Sequence, residues 1–182
     1  MLIVGLGNPG PNYSQNRHNI GFMVIDELIS RFNAHEISSP PCNGKLFKFS
    51  THFLLKPLTF MNLSGDAIVK VKNFYKIEDV IVIHDDLDLP FGTLRFKYGG
   101  GHGGHNGLKS TDERISRDYI RVRMGIGKPK YKGEVISYVL GDFNDEELKH
   151  LPIWISQACD GIESLLENSL EDTSSKHTIK KL

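Results

Sequence analysis

The chain has 182 residues, of which 39% are hydrophobic and 24% are charged, and its formal net charge at pH 7 is zero. This composition is typical of one soluble globular domain, and no apolar run approaches the roughly 20 residues that a membrane-spanning helix needs. The first residues lack the basic stretch and the cleavage site of a secretory signal. We therefore expect a cytoplasmic protein without a membrane partner, in which Cys42 and Cys159 are reduced thiols.

The charges are distributed unevenly along the chain. Residues 91–132 contain ten Lys or Arg against three Asp or Glu, whereas residues 142–172 contain nine acidic side chains against one lysine. Basic side chains gathered on one face attract phosphate groups, and added salt weakens that attraction. Solvated loops would give the same pattern, so charge alone leaves an RNA partner open.

In the first half of the chain, the apolar periodicity alternates between strand and helix patterns. It predicts a buried strand at residues 2–6, an amphipathic helix at residues 20–32, one or two strands within residues 45–56, and a helix at residues 63–75. The Pro40-Pro41 pair ends regular structure between the first helix and the strands that follow.

In the second half, the β-branched run at residues 80–83 is the clearest strand pattern and leads directly into His84, Asp85 and Asp86. Extended segments are predicted at residues 94–98 and 119–126, and helices at residues 107–115 and 145–166. The last residues, 172–182, lack periodicity, so a frayed tail is expected.

Strands that alternate with helices indicate the α/β class. We predict a single domain over residues 1–182, built as three layers with a twisted mixed β-sheet and helices on both faces. In such folds the loops at the carboxyl ends of the strands usually form the ligand crevice. Because the loops that carry Asn8 and Asp85 both follow predicted strands, we expect these two residues to come together.

His18 lies in a polar loop directly before the first predicted helix. An imidazole there can be partly exposed and suited to act as a general base. A lone histidine is usually only a surface group, but a carboxylate from the Asp85 loop would orient one ring nitrogen and leave the other basic. No Gly-x-Ser-x-Gly elbow and no nearby cysteine supplies a nucleophile. Water is therefore the expected attacking group.

The glycine-rich loop at residues 99–107 leaves two chemistries open. His102 and His105, together with His84 and Asp85, would make a metal-dependent hydrolase, although no His-Glu-x-x-His helix is present. Without a metal, Asn106 would donate its amide to a substrate carbonyl or hydroxyl. An RNA-binding module without enzymatic activity is a third possibility.

The segment Gly5-Leu-Gly-Asn-Pro-Gly10 has the glycine spacing of a dinucleotide-binding loop. Its proline interrupts that motif, and the following helix is predicted to start only about ten residues later. A dinucleotide site is therefore not favoured, and a role for Asn8 in a turn is the simplest interpretation of the segment alone.

The segment at residues 56–65 places Phe60 two residues before Asn62 in a predicted loop. An aromatic ring can stack on an unpaired base while an amide binds its polar edge, a combination suited to RNA. Phe60 would fit equally well in the core beside a helix cap, and Ser64 is expected to be a cap. Tyr13 would either pack on a ribose or base or cover its own loop.

Five motifs occur in a characteristic order and spacing. They are Gly5-Leu-Gly-Asn-Pro-Gly10, Asn16-Arg-His-Asn-Ile-Gly-Phe22, Lys56-Pro-Leu-Thr-Phe-Met-Asn-Leu-Ser-Gly65, His84-Asp-Asp-Leu-Asp-Leu-Pro-Phe-Gly92 and the segment 99–110. Together they closely resemble bacterial-type peptidyl-tRNA hydrolase over residues 1–142. The resemblance implies a monomeric esterase without metal or cofactor that releases the peptide from peptidyl-tRNA after its premature dissociation from the ribosome.

The resemblance also implies roles for individual residues. It makes His18 the catalytic base, Asp85 its orienting carboxylate, and Asn8 the residue that distinguishes peptidyl-tRNA from aminoacyl-tRNA. Further positions match substrate contacts: Tyr13, Phe60, Asn62 and Asn106 for the peptide and terminal nucleotide, and Arg95, Lys97 and Arg123 for tRNA phosphates. Which asparagine stabilises the oxyanion stays open. The chain departs from the family pattern at Asn16, where threonine is common, and in its short hairpin at residues 45–56.

Overall fold

Seven strands form one mixed β-sheet in a computed structural model that describes all 182 residues. The strands are β1 (Leu2–Gly5), β2 (His35–Glu36), β3 (Gly44–Phe49), β4 (His52–Pro57), β5 (Val80–Asp86), β6 (Leu94–Tyr98) and β7 (Ile120–Gly125). Their order across the sheet is β2-β3-β4-β1-β5-β7-β6. The central strand β1 pairs in parallel with β4 and β5, and β5 pairs in parallel with β7. The outer pairs are antiparallel.

Six α-helices cover the two faces of this sheet. They are α1 (Ile20–Phe32), α2 (Ser64–Phe74), α3 (Asn106–Ile115), α4 (Val135–Val139), α5 (Asp145–Glu167) and α6 (Leu170–His177). Successive side chains of a strand point to opposite faces. Accordingly, Ile81 and Ile83 of β5 belong to the core formed with α1 and α5, whereas Val80 and Val82 belong to the core formed with α2 and α3. The predicted single-domain, three-layer α/β fold is confirmed.

Most predicted elements are confirmed with boundaries within three residues. The short segment at residues 45–56 forms a complete antiparallel hairpin of β3 and β4, in which Ser50 at the turn has a left-handed φ of 50°. Long α5 starts with a capping box between Asn144 and Glu147. None of the helices combines the length and the apolar character needed to cross a membrane.

The prediction of a frayed tail is wrong. The side chain of Ser169 caps α6 by accepting a hydrogen bond from the backbone N–H of Asp172, and Thr173 is fully buried. Beyond the helix, Ile179 exchanges two backbone hydrogen bonds of 2.9 Å with Leu94 of β6. These contacts with distant parts of the chain order a segment whose own apolar periodicity is too weak to predict a helix.

Candidate active site

The loops after β1 and β5 meet because these strands are parallel neighbours in the sheet. Asp85 lies near the end of β5, and His18 lies in the short 3-10 helix Arg17–Asn19 directly before α1. Asn8 follows β1, and its backbone N–H and C=O are bound by the side chain of Asn19 at 2.9 Å each. Asn8 and Asp85 are therefore both bound to the Arg17–Asn19 helix, Asn8 through Asn19 and Asp85 through His18.

A close backbone contact sets the distance between the start of α1 and the sheet. A Cβ atom added to Gly21 would lie 2.5 Å from the Leu6 nitrogen and 2.6 Å from the Ile83 oxygen. One added to Gly5 would lie 2.1 Å from the Gly21 oxygen. Only glycine permits this approach of α1 to β1 and β5, which brings His18 over the end of β5.

The imidazole of His18 is hydrogen-bonded to the carboxylate of Asp85. Its Nδ1 atom lies 2.9 Å from Oδ2 and 3.0 Å from Oδ1. An ionised carboxylate only accepts hydrogen bonds, so Nδ1 carries the proton, and in the neutral ring Nε2 is the basic atom. Nε2 makes no hydrogen bond within the protein, and His18 lines a cleft of about 220 Å³.

A second histidine, His105, donates to the same carboxylate through Nε2 at 2.8 Å from Oδ1. Its Nδ1 accepts the backbone N–H groups of Gly107 at 3.1 Å and Leu108 at 3.2 Å, so His105 caps α3. Because Nδ1 must be unprotonated to accept them, the tautomer of neutral His105 is fixed with its proton on Nε2. Sequence reasoning considered His105 only as a metal ligand; its position before a predicted helix was the signal for a cap.

Asp85 and His18 shift each other's pKa. Burial by itself raises the pKa of Asp85, but the charges of His18 and His105 and their hydrogen bonds outweigh it and hold that pKa below its ordinary value of 3.8. Burial lowers the pKa of His18, yet the Coulombic attraction of Asp85 and the hydrogen bond that His18 donates to it raise that pKa above 6.5 in total. The pair therefore combines an ionised carboxylate with an imidazole that binds a proton more readily than a free one.

Of the metal-ligand set considered from sequence, only the side chains of Asp85 and His105 are joined. Nδ1 of His102 accepts the backbone N–H of Gly104 at 3.0 Å, and Nδ1 of buried His84 donates to the Asp85 carbonyl at 2.8 Å. Burial and the nearby His105 lower the pKa of His84 to about 4. The residues that do converge, within 4.8 Å, are His18, Asp85 and His105. Their facing atoms are joined by N–H donors and carboxylate acceptors, which is a hydrogen-bonded triad.

The three candidate asparagines occupy different surroundings. Asn106 begins α3 and lines the same cleft as His18 and Asp85. Asn8 is buried, and its Oδ1 accepts the backbone N–H of Met61 at 2.7 Å, which leaves its Nδ2 without a partner in the protein. Asn62 is exposed on the 3-10 helix Met61–Leu63. The structure thus brings Asn106 to the His18 cleft and holds Asn8 beside the neighbouring loop.

Phe60 does not belong to the core. Its side chain is 54% exposed, its φ is 62°, and its ring meets the ring of Tyr13 edge-on with centroids 6.3 Å apart. The two aromatic side chains therefore form an exposed pair beside the Asn8 loop. Ser64 is fully buried and donates to the Met61 carbonyl at 2.8 Å. The prediction that it caps the helix is wrong, because Leu63 is the N-cap of α2 and no side chain accepts a hydrogen bond there.

The basic segment at residues 91–132 divides into two groups. Some of its cations are paired with carboxylates of the protein: Arg121 is 3% exposed and contacts Asp112 at 3.1 Å, and the more exposed Arg114 contacts Asp66 at 2.7 Å. The predicted phosphate ligands Arg95, Lys97 and Arg123 line open surface, although Arg123 also contacts Asp86 at 2.8 Å. Charge counting along the sequence could not separate these groups, because the acidic partners lie on other elements.

Comparison with known proteins identifies the family. The family model described as peptidyl-tRNA hydrolase matches residues 2–182. The chain belongs to the peptidyl-tRNA hydrolase family. It is 72% identical to the peptidyl-tRNA hydrolase of Sulfurimonas denitrificans over 180 residues, covering 99% of this chain and 97% of that protein. The Sulfurovum sp. peptidyl-tRNA hydrolase is 50% identical, with coverage of 100% and 97%.

Solved structures agree with this assignment. The crystal structure of peptidyl-tRNA hydrolase from Acinetobacter baumannii superimposes with a TM-score of 0.93 at 35% sequence identity, covering 99% of this chain and 95% of that one. As a member of the peptidyl-tRNA hydrolase family, the protein is a hydrolase enzyme.

Asn16, where this hydrolase departs from the threonine common in the family, is hydrogen-bonded to a residue far away in the sequence. Its Nδ2 donates to Asp142 at 2.7 Å, and the two residues form a β-bridge. Next to it, Arg17 donates to the Tyr138 carbonyl at 3.1 Å and to Glu147 at 2.9 Å. The His18 turn is thereby tied to the segment between α4 and α5. Sequence reasoning missed this link, since its partners lie more than 120 residues away.

Proposed function

We propose that the protein hydrolyses the ester bond between the peptide and the 3′ ribose of peptidyl-tRNA, with water as the nucleophile and His18 as the general base. The observation that carries the proposal is the bond from His18 Nδ1 to buried Asp85, which leaves Nε2 as the basic atom in the cleft. His18 and Asp85 thus reproduce the base and orienting carboxylate of a hydrolytic triad, with water in place of a side-chain nucleophile.

In the proposed reaction, Nε2 of His18 takes a proton from water while the water oxygen bonds to the ester carbonyl. Asp85 stabilises the imidazolium that forms. The tetrahedral intermediate then collapses, the bond to the ribose oxygen breaks, and the imidazolium returns its proton to that oxygen. The products are a free peptide carboxylic acid and a ribose hydroxyl, without a covalent enzyme intermediate.

An amide donor is needed for the oxyanion of the intermediate. Asn106 is the best placed of the three candidates, because it alone shares the cleft with His18 and Asp85. Such a donor contributes roughly 3 kcal/mol in other acyl-transfer enzymes. Asn8 and Asn62 would then bind the peptide and the terminal nucleotide, and the exposed pair of Tyr13 and Phe60 offers ring faces for stacking.

The wider role follows from this chemistry. The enzyme would recover tRNA from peptidyl-tRNA that has left the ribosome prematurely, in the cytoplasm. It would act as a monomer, as the resemblance to the family implies. Arg95, Lys97 and Arg123 would bind the tRNA phosphates.

The test is turnover of N-acetylated aminoacyl-tRNA by purified protein. His18→Ala should lower kcat by about 10²- to 10⁴-fold, the usual contribution of a general base. His35→Ala, which changes an exposed histidine on edge strand β2, is the matched control and should keep full turnover. Full activity in His18→Ala would refute the mechanism, and an inactive parent protein would favour an RNA-binding module.

Removal of metals tests the alternative chemistry. Because protons rather than a metal join His18, Asp85 and His105 in the proposal, activity should survive exhaustive chelation and repurification in metal-free buffer. Loss of turnover that a divalent ion restores would instead establish a metal-dependent hydrolase.

A further inference from the structure

A second depression lies beside the active cleft, between strand β6 and the C-terminal residues. We name it the tail groove. Five basic side chains line it: Arg95, Lys97, Arg123, Lys180 and Lys181. Its only acidic lining residue is Glu171. The excess of positive charge indicates an anionic occupant.

The tail groove has a defined outer wall, because the tail is held on the sheet edge. Ile179 and Leu94 are joined by their two 2.9 Å backbone hydrogen bonds. The last residue, Leu182, packs over Gly92, where an added Cβ would come within 2.7 Å of its side chain. Lys180 and Lys181 lie between these two anchors and are exposed. Their backbone is thus held beside β6, so that both lysines line the groove with the basic side chains of that strand.

Several of these cations are available to a ligand. Lys97, Lys180 and Lys181 make no salt bridge within the protein, whereas Arg123 contacts Asp86 at 2.8 Å. The tail wall also carries the hydroxyl groups of Ser175 and Thr178. Ammonium groups interspersed with hydroxyl donors are the usual partners of phosphate oxygens in protein–nucleic acid contacts.

The tail groove adjoins the active cleft. Lys97 and Arg123 line both depressions. A substrate whose ester lies at His18 and which extends past these two side chains would therefore enter the tail groove. The part of peptidyl-tRNA that carries phosphates is its RNA backbone.

We propose that Lys180 and Lys181 form the outer wall of a phosphate-binding groove that holds the RNA backbone of the substrate while its ester lies at His18. This inference rests on the proposed function and deepens it, because it adds the C-terminal tail to the surface that recognises tRNA. The tail acts in binding and takes no part in bond cleavage.

The experiment compares two substrates with the full-length protein. One is N-acetylated aminoacyl-tRNA, and the other is an N-acetylated aminoacyl ester of adenosine, which has no RNA backbone. In Lys180→Gln/Lys181→Gln, KM for the tRNA substrate should rise about tenfold at 0.1 M salt, with kcat and the short ester unchanged. The slope of log(1/KM) against log[salt] should fall by about 1.4 to 1.8, which corresponds to two lost phosphate contacts.

Lys70→Gln/Lys76→Gln is the matched control, since it removes two exposed lysines at α2 on the other face of the sheet. It should leave both substrates unaffected. An unchanged KM for tRNA in the tail variant, or an equal rise for the short ester, would overturn the inference. If the parent protein turned over neither substrate, the proposed function would fail separately, and weakened binding of deacylated tRNA by the tail variant alone would still decide the role of the tail.

Discussion

Replacement of Asp85 by asparagine should disable His18 through its tautomer. The Asp85 carboxylate accepts from both His18 Nδ1 and His105 Nε2, whereas an amide offers only one oxygen and turns an N–H group towards the other ring. His105 cannot move its proton without losing two backbone N–H bonds. His18 is free to move its own, so its proton shifts to Nε2, the atom that must be the base.

Two effects set the expected magnitude. The same carboxylate-to-amide change behind a catalytic histidine in serine proteases lowers kcat by about 10⁴-fold through the wrong tautomer, and we expect a loss of 10²- to 10⁴-fold here. In addition, opposite charges 2.9 Å apart attract by about 6 kcal/mol at an effective dielectric constant near 20. Without that attraction, burial alone acts on His18 and lowers its pKa.

The assay is the pH dependence of kcat and kcat/KM with N-acetylated aminoacyl-tRNA. A base acts only when neutral, so parent activity should decrease as the pH falls through a His18 pKa above 6.5. In Asp85→Asn the remaining activity should have its acid limb at lower pH. Asp88→Asn is the matched control, because Asp88 is 58% exposed and contacts Lys128 instead. A kcat within threefold of the parent, or an unmoved acid limb, would refute the assigned role of Asp85.

Three further results are expected. Since the pKa of His84 is lowered to about 4, the unfolded chain binds a proton between pH 6.5 and 4 that the folded protein excludes. The free energy of unfolding, measured by urea titration, should therefore fall by roughly 2–3 kcal/mol across that window. The decrease should be smaller in His84→Asn. A slope unaltered by the substitution would argue against this assignment. Lys97→Gln should raise KM for tRNA more than it lowers kcat and flatten the salt dependence, whereas the reverse would place Lys97 in the chemistry. Asn8→Ala should cost about 1–3 kcal/mol in urea unfolding, because the buried Met61 N–H loses its acceptor, and should weaken discrimination against aminoacyl-tRNA; unchanged stability would contradict the first point.

Sequence patterns were sufficient to predict a helix or a strand where the local apolar periodicity agrees with the burial of the side chains. The β-branched run that becomes β5 and the apolar stripe that becomes α1 each identify their element, and the parallel pairing of β1 with β5 places the Asn8 loop beside the strand that carries Asp85. The ordered C-terminal tail could not be predicted in this way, because its order comes from the bonds of Ile179 to Leu94, a residue of β6 that lies 85 positions earlier.

The candidate site shows the same division. The motifs identified His18 and Asp85 as a pair, and their contact in the structure has the expected form. The shared use of Asp85 by His105 could not be derived, since it depends on how the glycine-rich loop turns back to the start of α3. The surroundings of Arg17 were equally hidden, because its partners Tyr138 on α4 and Glu147 on α5 lie more than 120 residues away in the sequence.

The glycine contact beneath the His18 turn has a consequence for how mutations divide between stability and turnover. The position of α1 on the sheet is set by main-chain atoms of Gly21, Leu6 and Ile83. The apolar side chains along that helix stabilise its packing but do not determine its position. Trimming a buried side chain such as Leu28 should therefore lower the melting temperature and leave kcat nearly constant. Gly21→Ala should instead lower kcat by a larger factor than such a trimmed side chain does, because the added methyl group moves His18 away from Asp85.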